Sequence, residues 1–147
     1  MSIPAVVLDA SAAAAWLLPD DASEASRRVY VRMRRGSLVL HAPELWLWEC
    51  GSIITAAVRS RRVSAEDALL TWSVLDAIRV RVELATPAPA QVRAALVLGL
   101  DHGVSLYDAA YLWLASSLRL PLLTADRALA RAAEKAAVSV VDMAALA

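Results

Sequence analysis

Short apolar runs alternate along the whole chain with longer stretches whose apolar positions recur at helical spacing. Runs of this length, bounded by turn, cap or charged residues, are typical of strands. The predicted strands are Ala5–Leu8, Leu38–Leu40, Val80–Leu84, Leu120–Leu123 and Val138–Val141.

Helices are predicted between these strands. Pro43 and Pro89 stand where two of them are expected to begin, which suits a residue with a fixed φ and no backbone donor. Strands that alternate with helices indicate a mostly parallel sheet covered on both faces. No linker, repeat or low-complexity tract divides the chain, so we predict one α/β domain over residues 1–147. The predicted helices are Ser11–Leu18, Ala22–Arg35, Glu44–Arg61, Ala65–Ile78, Pro89–Leu100, Leu106–Leu118 and Arg127–Ala136.

Composition narrows the class of protein further. The chain has 147 residues, 59% of them hydrophobic, which is enough to bury a substantial core. Its longest apolar runs, Ala10–Leu18 and Tyr107–Leu118, are shorter than the roughly 20 residues that a membrane span needs. With no signal-peptide pattern at the N-terminus, we expect a cytoplasmic protein. Cys50 is the only cysteine, which excludes an internal disulfide, and 15 basic residues balance 15 acidic ones.

Four carboxylates stand out, and two of them lie near the carboxyl ends of predicted strands, where functional groups gather in α/β folds. Asp9 ends the first predicted strand, and Asp126 follows the strand in "LPLLT" by two residues. Asp108 lies in the first turn of one predicted helix, and Glu49 lies one turn into another. The residues predicted to share the helix face of Glu49 are Leu45, Ser52, Ile53 and Ala56.

Each of the three aspartates also has a simpler explanation as a helix cap, whereas no cap explains an acid within an apolar helix face at Glu49. If all four converge, their charges repel one another, and a divalent cation would remove that cost. Oxygen ligands suit hard ions such as Mg²⁺ or Mn²⁺. His41 and His102 do not have a zinc-like spacing. Because Mg²⁺ also binds phosphate oxygens, this set of residues suggests phosphodiester chemistry.

Four segments, in this order, resemble the PIN-domain ribonucleases, and within them the VapC-like toxins of bacterial toxin–antitoxin pairs. The resemblance extends over nearly the whole chain. One departure is Ser52, where the family often has asparagine three residues after the glutamate. The segments are "VVLDASAAAAWLLPD", "APELWLWECGSII", "HGVSLYDAAYLWLA" and "LPLLTADRALARAA".

This resemblance implies a three-layer α/β/α fold and a metal-dependent endoribonuclease. Ser11 and Thr124 would orient ligands, waters or phosphate, and any bond made by the usual asparagine is in doubt at Ser52. A metal-activated water would leave a 5′-phosphate and a 3′-hydroxyl. The family also implies a small VapB-like antitoxin partner and commonly a homodimer. The residues expected to hold one or two Mg²⁺ or Mn²⁺ ions are Asp9, Glu49, Asp108 and Asp126.

Arginines and tryptophans are candidates for contact with RNA or a partner, although dipole stabilisation and core packing explain many such residues equally well. Trp46 and Trp48 are two residues apart on one predicted helix, so they cannot share a face, and at least one is expected to meet a groove or partner. The arginine candidates are Arg27, Arg28, Arg32, Arg34 and Arg35 in one cluster, Arg59, Arg61 and Arg62 in another, and Arg127.

Other classes fit the sequence less well. A haloacid-dehalogenase-like phosphatase needs a second aspartate where this chain has Ser11, and a dinucleotide-binding domain needs a glycine-rich turn after the first strand. A receiver-type domain would not need Glu49 and Asp108 on helices. Two alternatives stay open: a PIN-like module that binds metal and a partner or RNA without cutting, and an RNA-maturation nuclease.

Overall fold

The computed structural model describes residues 4–147, and within them five strands form one fully parallel sheet. The strand order is β3-β2-β1-β4-β5, which places β1 at the centre. The predicted parallel α/β architecture is confirmed: β1 has its predicted bounds, and the other four strands overlap their predicted runs. The strands are β1 (Ala5–Leu8), β2 (Val39–Pro43), β3 (Val82–Ala85), β4 (Leu122–Leu123) and β5 (Val140–Val141).

Eight α-helices in the same residues flank the sheet, and seven of them correspond to predicted helices. The short α8 and a 3₁₀ turn at Pro19–Asp21 are not predicted, because four and three residues are too few to show a helical repeat. The helices are α1 (Ala10–Leu17), α2 (Glu24–Arg34), α3 (Trp46–Arg59), α4 (Ala65–Arg79), α5 (Pro89–His102), α6 (Leu106–Leu118), α7 (Arg127–Lys135) and α8 (Met143–Leu146).

The prediction that a helix begins at Pro43 is wrong, whereas Pro89 is the first residue of α5 as predicted. Pro43 ends β2, where it pairs with Ala85 of β3, and α3 begins only at Trp46. On its other side, β2 pairs with β1 only as far as His41. The missing N–H of Pro43 therefore costs the sheet little, because the ladder with β1 has already ended.

Side chains of β1 form the centre of the hydrophobic core. Val6, Val7 and Leu8 are all at most 1% exposed, and burying an aliphatic side chain of this size contributes about 1.5–3 kcal/mol. The alanine-rich α1 packs on α3 and buries Ala12 and Ala13. In residues 4–147, each helix is either too short or too polar to serve as a membrane span.

The chain order creates a crevice beside β1. From β1 the chain moves to β2 and then β3 on one side, and it returns across the sheet to β4 and β5 on the other. Such a reversal leaves a crevice at the carboxyl ends of the two strands that flank it, here β1 and β4. The segments that follow these two strands carry Asp9 and Asp126.

Candidate active site

A groove of about 770 Å³ opens at the carboxyl ends of β1 and β4, and all four predicted carboxylates line it. We call it the carboxylate groove. Its acids come from four separate segments: the end of β1, α3, α6 and the N-terminus of α7. The groove is lined by Asp9, Ala10, Ser11, Leu45, Trp48, Glu49, Ser52, Ile53, Ala56, Arg59, Tyr107, Asp108 and Asp126.

Asp9 is the most buried of these acids, with only 5% of its surface exposed. It occupies the position before α1, but its side chain makes no capping bond to that helix, so the cap explanation is wrong for Asp9. Its Oδ2 instead accepts hydrogen bonds from the hydroxyls of Ser11, at 2.5 Å, and Thr124, at 2.7 Å. A buried carboxylate is thus satisfied by neutral donors.

Ser11 and Thr124 also tie the segment after β1 to the segment after β4. Their hydroxyl oxygens are 3.1 Å apart, and each accepts a backbone hydrogen bond from the β4 side. The Ala125 N–H donates to Ser11 and the Asp126 N–H to Thr124, both at 3.0 Å. The two hydroxyls singled out in the sequence therefore fix Asp9 relative to the segment that carries Asp126.

Glu49 lies in the first turn of α3 and is partly buried. The Tyr111 hydroxyl donates a 2.6 Å hydrogen bond to Glu49 Oε1. Sequence reasoning did not single out Tyr111, although its place three residues after Asp108 sets both on one face of α6. The helix face predicted around Glu49 is confirmed, because Leu45, Ser52, Ile53 and Ala56 all line the carboxylate groove.

Asp126 and Asp108 lie at the N-termini of helices. Asp126 is exposed and caps α7, its Oδ1 accepting the N–H groups of Ala128 at 2.7 Å and Leu129 at 3.1 Å. The cap explanation is therefore right for Asp126, which nevertheless also lines the groove. At α6 the cap is Ser105, whose hydroxyl oxygen accepts the Asp108 N–H at 3.1 Å.

Burial raises the pKa of Asp9, Glu49 and Asp108 above their ordinary values. Hydroxyl hydrogen bonds oppose this rise, while repulsion between the acids adds to it: Asp108 and Asp126 act on Asp9, Asp9 and Asp108 act on Glu49, and Asp126 acts on Asp108. In residues 4–147 none of the four acids forms an ion pair with a basic side chain. The groove therefore concentrates negative charge that none of the ion pairs in residues 4–147 neutralises.

The carboxylates do not form a ready-made chelate. Over the described residues, no three or more Asp, Glu, His or Cys side chains are arranged as a group that could hold a metal ion. The two histidines do not line the groove; His41 Nδ1 lies 3.3 Å from Glu83. Any ligands the groove offers a cation are therefore oxygens.

Most of the predicted arginine candidates have other partners. Arg27 and Arg28 pair with Glu24, and Arg32 donates to the Leu146 carbonyl oxygen at 2.8 Å. Arg59, the last residue of α3, lines the carboxylate groove. The remaining contacts are Arg62 with Asp20 and Asp21, and Arg34 over the ring of Tyr30.

The prediction for the two neighbouring tryptophans is confirmed. Trp46 is fully buried in the core, whereas Trp48 is 80% exposed and lines the carboxylate groove. Trp48 also lines two further cavities, so a single side chain of α3 stands between three concave surfaces.

A parallel α/β sheet with an acidic groove at the carboxyl ends of β1 and β4 defines a class of protein, and comparison with known families identifies it. The PIN-domain model matches residues 6–135, so the chain belongs to the PIN-domain family.

Within that family the chain is VapC-like. It is 33% identical to Ribonuclease VapC3 of Pyrobaculum aerophilum, an alignment covering 85% of this chain and 92% of the relative. It is 36% identical to Ribonuclease VapC1 of Mycobacterium tuberculosis, over 64% of this chain and 68% of that protein. The crystal structure of PAE2754 from Pyrobaculum aerophilum has a similar fold, with a TM-score of 0.73 at 23% identity, covering 99% of this chain and 95% of that one.

Proposed function

We propose that this protein is a metal-dependent endoribonuclease that acts as the toxin of a toxin–antitoxin pair. Relatives named as VapC ribonucleases support the reaction class. The observation that carries the proposal is the carboxylate groove, where four acids from separate segments meet without a basic ion-pair partner in residues 4–147. Repulsion between these acids raises their pKa values, and a bound divalent cation would offset it.

The donor chemistry of the groove fits Mg²⁺ or Mn²⁺. Hard divalent cations prefer oxygen ligands, and Mg²⁺ usually keeps several waters while binding one or two carboxylates and the substrate phosphate. The absence of a closed three-ligand group in residues 4–147 is compatible with that mode of binding. When bound, such an ion neutralises phosphate charge and lowers the pKa of water. The residues that would hold one or two ions are Asp9, Glu49, Asp108 and Asp126.

The chain's own side chains would position these acids. Ser11 and Thr124 hold one oxygen of Asp9, and Tyr111 holds one oxygen of Glu49, so both carboxylates keep fixed orientations and free lone pairs. Groups that orient metal-binding side chains in this way affect metal affinity and activity strongly. Ser52 lines the same groove and would contact substrate or solvent.

If the protein is an RNA-cutting toxin, its partners and its cellular compartment follow. An RNA-cutting toxin acts where cellular RNA is, in the cytoplasm, and needs a VapB-like antitoxin to hold it inactive; we also expect a homodimer. Exposed apolar side chains of α4 support a protein partner, because contiguous apolar patches on a surface often mark interaction sites. They are Leu69, Leu70 and Trp72.

Cleavage of a mixed pool of tRNA, ribosomal RNA and their precursors by purified, antitoxin-free protein tests this proposal. With Mg²⁺ or Mn²⁺ we expect discrete cuts that disappear in EDTA and in the Asp108→Asn variant. No cuts with either metal, from protein shown to be folded, would contradict the nuclease and favour a PIN-like module that binds without cutting. Cuts confined to precursor RNAs would favour the maturation nuclease.

A further inference from the structure

An apolar cavity of about 330 Å³ adjoins the carboxylate groove, between the end of β2, the start of α3, α5 and α6. We call it the apolar cavity. Its volume lies at the lower end of the range for small-ligand sites. Glu44 and Gln91 are its polar lining residues. Gln91 Oε1 accepts the Ala88 N–H at 2.8 Å, which leaves the two N–H donors of its amide for a ligand.

The apolar cavity and the carboxylate groove share one wall, formed by Leu45, Trp48 and Tyr107. Both aromatic side chains are mostly exposed, Trp48 by 80% and Tyr107 by 65%. Exposed aromatic faces beside a backbone-binding groove are the usual stacking platforms for bases of single-stranded nucleic acids. A phosphodiester at the carboxylates would place its neighbouring nucleoside at this wall.

Arg59 provides a cation at the other end of the same helix. From Trp48 to Arg59 is eleven residues, which is about 16 Å along an α-helix and within about 20° of the same direction around it. Ser52 and Ala56 complete this stripe, and all four residues line the groove. The stripe therefore runs from an aromatic wall, past the acids, to a positive charge.

We propose that α3 is the RNA track: a nucleobase stacks on Trp48 and enters the apolar cavity, while a backbone phosphate binds Arg59. This inference rests on the proposed function, because it takes the groove to hold a phosphodiester. It adds a base-binding subsite and a phosphate anchor to the carboxylate site. The shared wall favours RNA over a protein occupant, because the cavity has three lining residues in common with the groove that is proposed to hold the phosphodiester.

The two contacts have different thermodynamic signatures. Stacking does not depend on counterions, whereas each phosphate contact to a single strand adds about 0.7 to the slope of log affinity against log salt concentration. Trp48→Ala should weaken binding by about 5- to 150-fold at every salt concentration with the slope unchanged. Arg59→Gln should lower the slope by about 0.7.

Fluorescence anisotropy of labelled oligouridine and oligoadenosine, titrated across salt concentrations, measures both quantities. Ca²⁺ replaces Mg²⁺, and a gel verifies that the strands stay intact. Trp48→Phe and Arg59→Lys should retain most of the affinity and the slope, respectively. The matched controls are Trp72→Ala, an exposed tryptophan of α4, and Arg79→Gln, the last residue of α4 as Arg59 is of α3. All four altered residues are exposed, and melting curves verify that each variant folds.

The track is wrong if Trp48→Ala binds as tightly as Trp72→Ala, or if Arg59→Gln keeps the salt slope of Arg79→Gln. A Trp48→Ala variant that changes the oligomeric state and leaves RNA affinity intact would assign the apolar cavity to a second copy of the chain. Binding is measured apart from cleavage, so the two proposals can fail separately. If Trp48→Ala loses affinity and Arg59→Gln loses salt slope but the protein cuts no RNA, the track is supported and the nuclease is wrong. If the protein cuts RNA but neither variant shows its expected change, the nuclease is supported and the track is wrong.

Discussion

Asp9 and Asp126 occupy equivalent places and behave in opposite ways. Each follows one of two neighbouring parallel strands and stands just before the next helix. Asp126 is exposed and caps α7 with one carboxylate oxygen. Asp9 is buried, caps nothing, and accepts its hydrogen bonds from Ser11 and Thr124. Position in the fold therefore does not decide what an acid does; the donors around it do.

Glu49 and Asp108 extend this contrast. Glu49 is like Asp9 because a side-chain hydroxyl, that of Tyr111, donates to it. Asp108, in the first turn of α6, is like Asp126 because its carboxylate has no hydroxyl donor from a distant segment among residues 4–147. The groove thus contains two acids that accept a hydroxyl hydrogen bond from a distant segment and two whose hydrogen bonds are local to their own helix starts. In residues 4–147, Asp126 is the one acid of the four whose carboxylate caps a helix.

Asp9→Asn should have the largest effect, lowering cleavage by more than about 100-fold, since even residues that only orient metal-binding groups cost 10–100-fold. The thermal stability of Asp9→Asn, in contrast, should not fall. Removing the charge relieves desolvation and repulsion in the metal-free groove, so the Tm in EDTA should be equal or higher. Cleavage rates and melting curves in EDTA measure the two effects.

Asp76→Asn, on the exposed surface of α4, is the matched control and should change neither quantity. A strong fall in the Tm of Asp9→Asn in EDTA would show that the carboxylate stabilises the fold, and the account of Asp9 as a functional charge would then be wrong.

Tyr111→Phe should have the next largest effect and sharpen the comparison at Glu49. Losing the hydroxyl leaves Glu49 without its fixed orientation, so Mn²⁺ affinity should fall by about 10- to 100-fold. Titration calorimetry with Mn²⁺ measures this without reference to cleavage. Tyr30→Phe, on α2, should bind Mn²⁺ like the unaltered protein. Equal affinities in the two variants would leave Tyr111 with only a packing role.

The sequence was sufficient to predict the strand–helix alternation, the parallel sheet and the groove acids, because those depend on periodicity, on where strands end and, for Glu49 and Asp108, on their places in helices. It did not identify Tyr111, since a tyrosine at a helical core position looks like packing until the partner 62 residues away is known. It also could not tell the cap at Asp126 from the buried acid at Asp9. That distinction depends on hydrogen bonds between segments more than 100 residues apart in the chain.

Two substitutions at Asp126 can separate its capping of α7 from its role in cleavage, with smaller expected effects. Asparagine caps helices about as well as aspartate, whereas alanine at this position costs about 0.5–2 kcal/mol. Asp126→Asn should therefore keep the Tm while reducing cleavage, and Asp126→Ala should reduce both, with a fall in Tm of a few degrees. Melting curves and cleavage rates of the pair test this. If Asp126→Asn cleaves RNA at the unaltered rate, Asp126 is a cap alone.

The smallest effect concerns pH. The raised pKa of Asp9 means that the folded protein binds more protons than the unfolded chain between the ordinary value of 3.8 and the raised one. In EDTA, the buried charge of Asp9 therefore lowers the free energy of unfolding more and more as the pH rises through that window. Below the ordinary value Asp9 is protonated in both states, and this effect is absent. Glu49 and Asp108 act in the same direction. Urea unfolding of the unaltered protein and Asp9→Asn should differ more at neutral than at acidic pH, and the difference should disappear as the pH falls below the ordinary value of 3.8. Mn²⁺ should reverse the neutral-pH difference, because a ligand stabilises the folded state that binds it more tightly. If the difference in unfolding free energy is constant with pH or unchanged by Mn²⁺, the buried charge of Asp9 does not explain why Asp9 behaves differently from Asp126.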